Sequence, residues 1–221
     1  MEAAVDAILS KIRPKIRAML RTRGQYSQND MCHQLKIHVW SHMEHVNGCI
    51  AHAAPSHLNK LDSAQRYFLN GMDMTEEVAF LDHNLAPPSL RRDIGLLGLL
   101  HKRVLGQCHP AYNDLLPLAP ASWYQGPPAP RHNRLLNNHI HECMFHCDLF
   151  SRSIFGMVNI YNRLPQCFID CETVSTFQHE LTAVARRRCD IGHEHWKDCF
   201  SSVHPQSWVY TFRRAPHTLL D

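Results

Sequence analysis

The chain has 221 residues, of which 44% are hydrophobic and 19% are charged, and its formal net charge at pH 7 is +3. This composition is typical of a globular protein and excludes an intrinsically disordered chain. No apolar run approaches the roughly 18 residues of a membrane span, so we expect no membrane partner. Because histidine titrates between about pH 5 and 8, the 18 histidines predict that any contact with a polyanion tightens on acidification.

The number of cysteines and the character of the first 20 residues indicate the cellular compartment. Nine cysteines are scattered along the chain, an odd number that does not suit a disulfide framework. Residues 1–20 are amphipathic and charged, and they lack the apolar core of a secretory signal. We therefore expect reduced thiols and an intracellular protein, either nuclear or cytoplasmic.

A basic amphipathic helix is predicted over residues 3–22, and Pro14 is expected to kink or split it. Its apolar residues recur at helical spacing: Val5, Ile8, Leu9, Ile12, Ile16, Met19 and Leu20. Six cations with no acid among them fall within 13 positions: Lys11, Arg13, Lys15, Arg17, Arg21 and Arg23. Such a face binds nucleic acid, an anionic membrane or a partner, or is simply solvated. The absence of acids favours a phosphate-facing surface.

Further helices are predicted over residues 27–83. Ser27 is expected to cap a helix that buries residues from Met31 to Val46 and ends near residues 47–48. Its histidines, His33, His38, His42 and His45, lie on different faces and do not predict a metal site. Another helix is expected to begin at residues 55–56 and to close at Gly71, and Thr75 is expected to cap a short helix.

The most apolar helix is predicted over residues 89–105. Leu90, Ile94, Leu97, His101 and Leu105 fall on one face, and further leucines widen the stripe. A helix that is apolar over most of its surface needs neighbours on several sides, so this one should be central. We expect Ser89 to be its N-cap, Gly106 its C′ residue, and Gly95 and Gly98 the points where another helix approaches closely.

The amino-acid composition changes after the helix of residues 89–105. Prolines concentrate in residues 110–130, which predicts a linker or surface crossing, and a second helical portion follows over 131–188. Its last helix should be capped by Thr173 or Ser175 and end in the arginines 186–188. Residues 189–221 are expected to form a loose tail. The predicted fold is therefore all-α: an irregular multi-helix bundle around the helix of residues 89–105, which belongs to a first helical region that spans residues 1–109.

Several motifs, taken in order, give the chain a family resemblance. Residues 53–58 (AAPSHL) and 61–66 (LDSAQR) form one such segment, and residues 84–87 (NLAP) with 89–93 (SLRRD) form a second. A third consists of residues 150–153 (FSRS) and 161–165 (YNRLP), followed by Val174 and Phe177. Together they resemble the region that follows the polymerase palm in non-LTR (LINE-like) retrotransposon reverse transcriptases, over roughly residues 5–188.

This resemblance implies nucleic-acid contact without catalysis. Reverse transcriptases hold two metal ions with palm aspartates, and this sequence has no Asp-Asp pair, no Gly-rich phosphate loop and no endonuclease-like stretch. Residues 3–47 would correspond to the thumb-like region that grips the backbone of template and primer. We therefore expect that the chain is the product of a fragmentary reading frame and that it binds RNA or DNA without sequence specificity. Its expected protein partner is a polymerase core encoded upstream. Arg91, Arg92 and Arg152 are further candidates for backbone contact, or structural partners of carboxylates or carbonyls.

Two other classes of function stay open. Cys189, His193, His195 and Cys199 are residue types that zinc accepts, although their spacing matches neither a zinc knuckle nor a C2H2 finger. A chain rich in histidine and cysteine produces such clusters by chance, so we expect no cofactor, with zinc as the alternative. No cysteine–histidine pair lies in a recognisable nucleophile context, and with the palm aspartates absent we expect that the chain is not an enzyme. The third possibility is a purely structural helical module.

Overall fold

A computed structural model describes residues 1–45, 47–119, 133–137 and 148–202. Within these ranges the regular secondary structure is helical, and the β-type pairing is an isolated antiparallel bridge between Leu118 and Leu136. The all-α prediction is confirmed. The helices are α1 (Glu2–Thr22), α2 (Gln28–Leu35), α3 (Ser41–Glu44), α4 (Asn47–Ile50), α5 (Pro55–Gly71), α6 (Glu76–His83), α7 (Pro88–Val104), α8 (Ala111–Leu115), α9 (Asp148–Ser151), α10 (Ile154–Tyr161), α11 (Gln166–Ile169) and α12 (Val174–Asp190).

The chain divides into two units. One comprises Met1–Arg92 and Arg186–His193, and the other comprises the described residues among Asp93–Ala185 and Glu194–Asp221. Two of the boundaries fall within α7 and α12 and the third lies just after α12, so this division differs from the predicted one at the Pro-rich stretch. Most of that stretch, together with residues 203–221, lies outside the described residues.

Helix α1 buries the apolar face that the sequence predicts. Val5, Leu9, Ile12, Ile16 and Leu20 are all buried, at the spacing of one helical stripe. The predicted split at Pro14 is wrong, because α1 is continuous from Glu2 to Thr22. Pro14 is exposed while Ile12 and Ile16 are buried on either side of it. Packing of the apolar face therefore maintains the helix through the residue that lacks an N–H.

Side-chain caps begin the next helices. The Ser27 hydroxyl accepts from the Asp30 N–H (3.2 Å) and the Asp30 carboxylate accepts from the Ser27 N–H, which confirms the predicted cap as a capping box. A π-helical turn, Lys36–Trp40, separates α2 from α3. The helix predicted to stop near residues 47–48 ends slightly earlier, at Glu44, and a separate helix, α4, begins at Asn47 and buries Ile50. Thr75 caps α6 as predicted, accepting from the Val78 N–H.

Helix α7 begins one residue earlier than predicted. Its first residue is Pro88, so Ser89 is not the N-cap; the Pro87 carbonyl accepts from the Arg91 N–H instead. Proline suits this first position because its φ is helical and its missing N–H would have no helical acceptor. Gly106 is the C′ residue, with φ +73°, and the Gln107 N–H donates to the Lys102 carbonyl as in a Schellman motif.

The surface of α7 is almost entirely covered. Lys102 is the one exposed residue of the helix, and the close approach predicted at Gly98 is confirmed. A Cβ added at Gly98 would overlap the carboxamide of Gln178 from α12. The position of α7 at the centre of the whole fold stays a prediction.

The second unit contains a buried polar cluster around His101 of α7. The His101 Nε2 lies 2.9 Å from the Cys171 carbonyl oxygen, and its Nδ1 lies 3.0 Å from the Tyr161 hydroxyl. The imidazole stacks on the ring of Phe177, with centroids 4.2 Å apart. Because a carbonyl only accepts, Nε2 carries the proton, and Nδ1 accepts from the Tyr161 hydroxyl.

The last described segment is packed and not loose. Thr173 caps α12 through the Thr176 N–H (3.1 Å), which decides between the two predicted caps. Beyond α12, Trp196, Cys199 and Phe200 are buried. The predicted tail is therefore wrong for residues 189–202, because large side chains there contribute to a core.

Candidate nucleic-acid interface

Helices α1 and α5 pack side by side and run in the same direction. At their N-terminal ends Lys60 lies 3.4 Å from Asp6. At their C-terminal ends a Cβ added to Gly71 would lie 2.7 Å from a methyl group of Leu20. The contact involves the apolar faces of both helices, since Leu61, Ala64 and Phe68 of α5 are buried, as is the stripe of α1.

The predicted cations lie along α1 on both sides of its buried stripe. Arg13, Arg17 and Arg21 are spaced four residues apart and form a row on one side, and Lys11 and Lys15 form a row on the other. Lys15 is half-buried, and Lys11, Arg13, Arg17, Arg21 and Arg23 are exposed. Four residues of an α-helix rise about 6 Å, so the three arginines extend over roughly 12 Å.

Two of the six cations bind groups of the protein itself. The Lys15 Nζ lies 2.6 Å from the His42 Nε2 and 3.3 Å from the His38 carbonyl oxygen. Arg23 donates to the Leu20 carbonyl (3.2 Å) at the end of α1. Among the described residues, no carboxylate lies within ion-pair distance of the other four, which are Lys11, Arg13, Arg17 and Arg21.

A groove between α1 and α5 places two of these free arginines opposite a tyrosine. Its volume is about 260 Å³, and the residues that line it are Arg13, Ile16 and Arg17 of α1 and Lys60, Ser63, Ala64 and Tyr67 of α5. Tyr67 is 54% exposed at the rim. The groove thus combines cationic side chains with an accessible aromatic ring, the combination that binds nucleic-acid strands.

The acids near this surface have cationic partners. Glu2 lies 3.7 Å from Lys60, which also contacts Asp6. Asp62 of α5 accepts two hydrogen bonds from Arg92 (2.7 and 2.9 Å). Lys60 therefore has its charge offset at one end of the groove, while Arg13 and Arg17 leave the opposite end positive.

His42 lies beside Lys15, and the pKa of its imidazole is lowered by desolvation and by the neighbouring lysines. Partial desolvation and the charges of Lys15 and Lys11 lower the pKa of His42. Lysine has no acceptor, so His42 Nε2 accepts from Lys15 when the ring is neutral. His42 therefore gains its proton at a lower pH than an unperturbed imidazole does.

Arg91 and Arg92 bind carboxylates of the protein, which is the alternative that the sequence left open. Arg92 forms the bidentate pair with Asp62, and both side chains are largely buried. Arg91 pairs with Glu44, and its guanidinium lies 3.4 Å from the centroid of the Trp40 ring. Neither guanidinium is free for a phosphate while these contacts hold.

Arg152 belongs to the other unit and is half-buried. Its Nε is buried without a hydrogen-bond partner in the part of the chain that the structure describes. The α1–α5 surface lies wholly within the first unit.

The zinc hypothesis gains no support from the described residues. These contain no group of three or more histidine, cysteine, aspartate or glutamate side chains suited to a metal. Cys189 is buried at the end of α12, and the Cys199 thiol donates to the Trp196 carbonyl (2.8 Å). The Arg188 guanidinium contacts the His193 Nε2, which is one of the two ring nitrogens through which a histidine binds zinc. His195 is half-buried after this segment.

Lys60, Ser63 and Tyr67 were not among the predicted site residues. They fall on one edge of α5 at intervals of three and four residues, beside its buried stripe. That spacing is visible in the sequence, but only the pairing of α5 with α1 makes it part of a groove.

The fold and the site together define an α-helical protein with a basic groove between α1 and α5 of its first unit. Across the described ranges, no helix combines the length and the apolar character that crossing a bilayer requires. The chain matches no known family model, no curated protein and no solved structure. The resemblance to non-LTR retrotransposon reverse transcriptases therefore depends on the sequence motifs alone and stays a prediction.

Proposed function

We propose that this chain binds the phosphate backbone of RNA or DNA through the cationic surface of α1, without sequence specificity and without a catalytic step. The observation that carries the proposal is the set of four exposed cations, Lys11, Arg13, Arg17 and Arg21, that have no acidic partner among the described residues. When exposed cations without acidic partners neutralise the phosphates of a polyanion, they displace the counterions condensed on it, which favours binding.

The arrangement of the cations favours a strand of phosphates over other anionic partners. Arg13, Arg17 and Arg21 recur every four residues on a packed helix, so they form a row along one side of it that suits a linear array of charges. Insertion into a bilayer interface would need an exposed apolar face beside the cations. The apolar stripe of α1 is buried against its own unit, so it is not available for that purpose. The role agrees with the one that the resemblance to the post-palm region of reverse transcriptases implies.

The experiment compares two variants of equal net charge. Arg13→Gln with Arg17→Gln removes two free cations from the groove, and Lys102→Gln with Arg187→Gln removes two exposed cations elsewhere. Both variants change the formal charge from +3 to +1. Affinity for a fluorescent oligonucleotide at low salt is read by anisotropy.

We expect the groove variant to bind at least about tenfold more weakly than the wild type, since one hydrogen bond to a charged group is worth about 1.5 kcal/mol or more. The control variant should lose far less. Equal losses in the two variants would show a response to net charge alone, and the proposed site would be wrong. Because all four side chains are exposed, circular dichroism should show unchanged helix content.

A further inference from the structure

We propose that the groove between α1 and α5 takes an unpaired nucleotide, whose phosphate contacts Arg13 and Arg17 and whose base stacks on Tyr67. The proposal rests on the proposed function and specifies its ligand: single-stranded nucleic acid in preference to duplex. Its basis is the meeting of two free arginines and one exposed aromatic ring in a single groove.

The ring of Tyr67 adds selectivity for single strands over duplexes, which the arginines alone do not supply. Cations contact the backbone of single strands and duplexes alike. An aromatic side chain stacks on a base only when the face of that base is open, and in a duplex both faces are covered by neighbouring bases. An exposed tyrosine beside phosphate-binding cations therefore selects for the unpaired strand.

The other groups in the groove fix the end at which the phosphate lies. Lys60 is engaged by Glu2 and Asp6, so the groove is least favourable to an anion at that end. The Ser63 hydroxyl donates to the Asn59 carbonyl (2.6 Å) and accepts from Arg66 (3.1 Å), so its hydrogen is already used. Arg13 and Arg17 are left as the phosphate contacts, and Arg21 continues the same row by one turn.

The experiment measures single-stranded and duplex binding separately, with oligonucleotides of equal length. The variants are Tyr67→Ala, Tyr67→Phe, and Tyr26→Ala as the matched control, because Tyr26 is 53% exposed and does not line the groove. Single strands of thymidine and of uridine form separate arms that distinguish DNA from RNA. The double variant Arg13→Gln with Arg17→Gln is measured on every probe.

We expect Tyr67→Ala to weaken single-strand binding roughly 5- to 100-fold, the loss typical of one stacked base, while duplex binding changes little. Tyr67→Phe keeps the ring and should bind as the wild type does, and so should Tyr26→Ala. An equal effect of Tyr67→Ala on both probes, or no effect on either, overturns the stacking proposal. If the arginine variant still weakens both probes in that case, the backbone proposal stands. If the arginine variant changes neither probe, both proposals fail.

Discussion

Replacing Tyr161 with phenylalanine removes one hydroxyl group from a site that is closed to solvent. In the wild type that hydroxyl lies 3.0 Å from the Nδ1 of His101, whose Nε2 donates to the Cys171 carbonyl. Both His101 and Tyr161 are fully buried, so no water replaces the lost donor. The variant leaves Nδ1 as a buried acceptor without a partner, which costs about 1–3 kcal/mol of unfolding free energy.

The loss is large enough to measure by thermal unfolding. For a chain of this size one kcal/mol corresponds to roughly 2–4 °C in Tm, so a loss of about 1–3 kcal/mol predicts a fall of about 2–12 °C at neutral pH. Tyr67→Phe is the matched control, because the Tyr67 hydroxyl is exposed and its removal should leave Tm unchanged. A Tyr161→Phe protein as stable as the wild type would refute the hydrogen bond and the tautomer inferred for His101.

Three further predictions concern stability. Burial, with a smaller contribution from the charge of Arg134, lowers the pKa of His101, whereas the hydrogen bond to the backbone raises it. At acidic pH the unfolded chain therefore binds a proton at His101 that the folded chain does not. The free energy of unfolding should fall as pH drops below about 6.5, by at most about 1.4 kcal/mol per pH unit. In urea titrations at several pH values, His101→Phe should make this fall with pH less steep. In Gly156→Ala the added methyl would overlap the Ser151 carbonyl, a backbone atom, and we expect a loss of about 3 kcal/mol or more by denaturant unfolding. Ser27→Ala removes the capping box of α2 and should cost about 1 kcal/mol in the same assay, with an unchanged midpoint as the contradictory result.

Features governed by local chemistry could be predicted from the sequence. The caps at Ser27 and Thr75 depend on hydrogen bonds within four residues, and both form as expected. The buried stripe of α1 follows from apolar periodicity, and the C′ role of Gly106 follows from the freedom of glycine at positive φ. The all-α class is the sum of such local signals.

Other features depend on which segments meet, and the sequence does not contain that information in local form. The sequence predicts that Pro14 kinks or splits α1, but the helix is not split, because burial on both sides of Pro14 outweighs the missing hydrogen bond. Arg92 could be judged a phosphate contact or an ion-pair partner, and only the approach of Asp62 across 30 residues decides the matter. The groove escaped prediction for the same reason, since Tyr67 becomes a candidate only beside Arg13 and Arg17.

The salt dependence of single-strand binding tests the central claim most directly. Each phosphate contact on a single strand contributes about 0.7 to the slope of log affinity against log salt. We predict that Arg13→Gln with Arg17→Gln reduces the magnitude of this slope by roughly 1.4 relative to the wild type, since two contacts are lost. The charge-matched control, Lys102→Gln with Arg187→Gln, should keep the wild-type slope. A wild-type protein that does not bind at low salt, or a groove variant with an unchanged slope, would contradict the account.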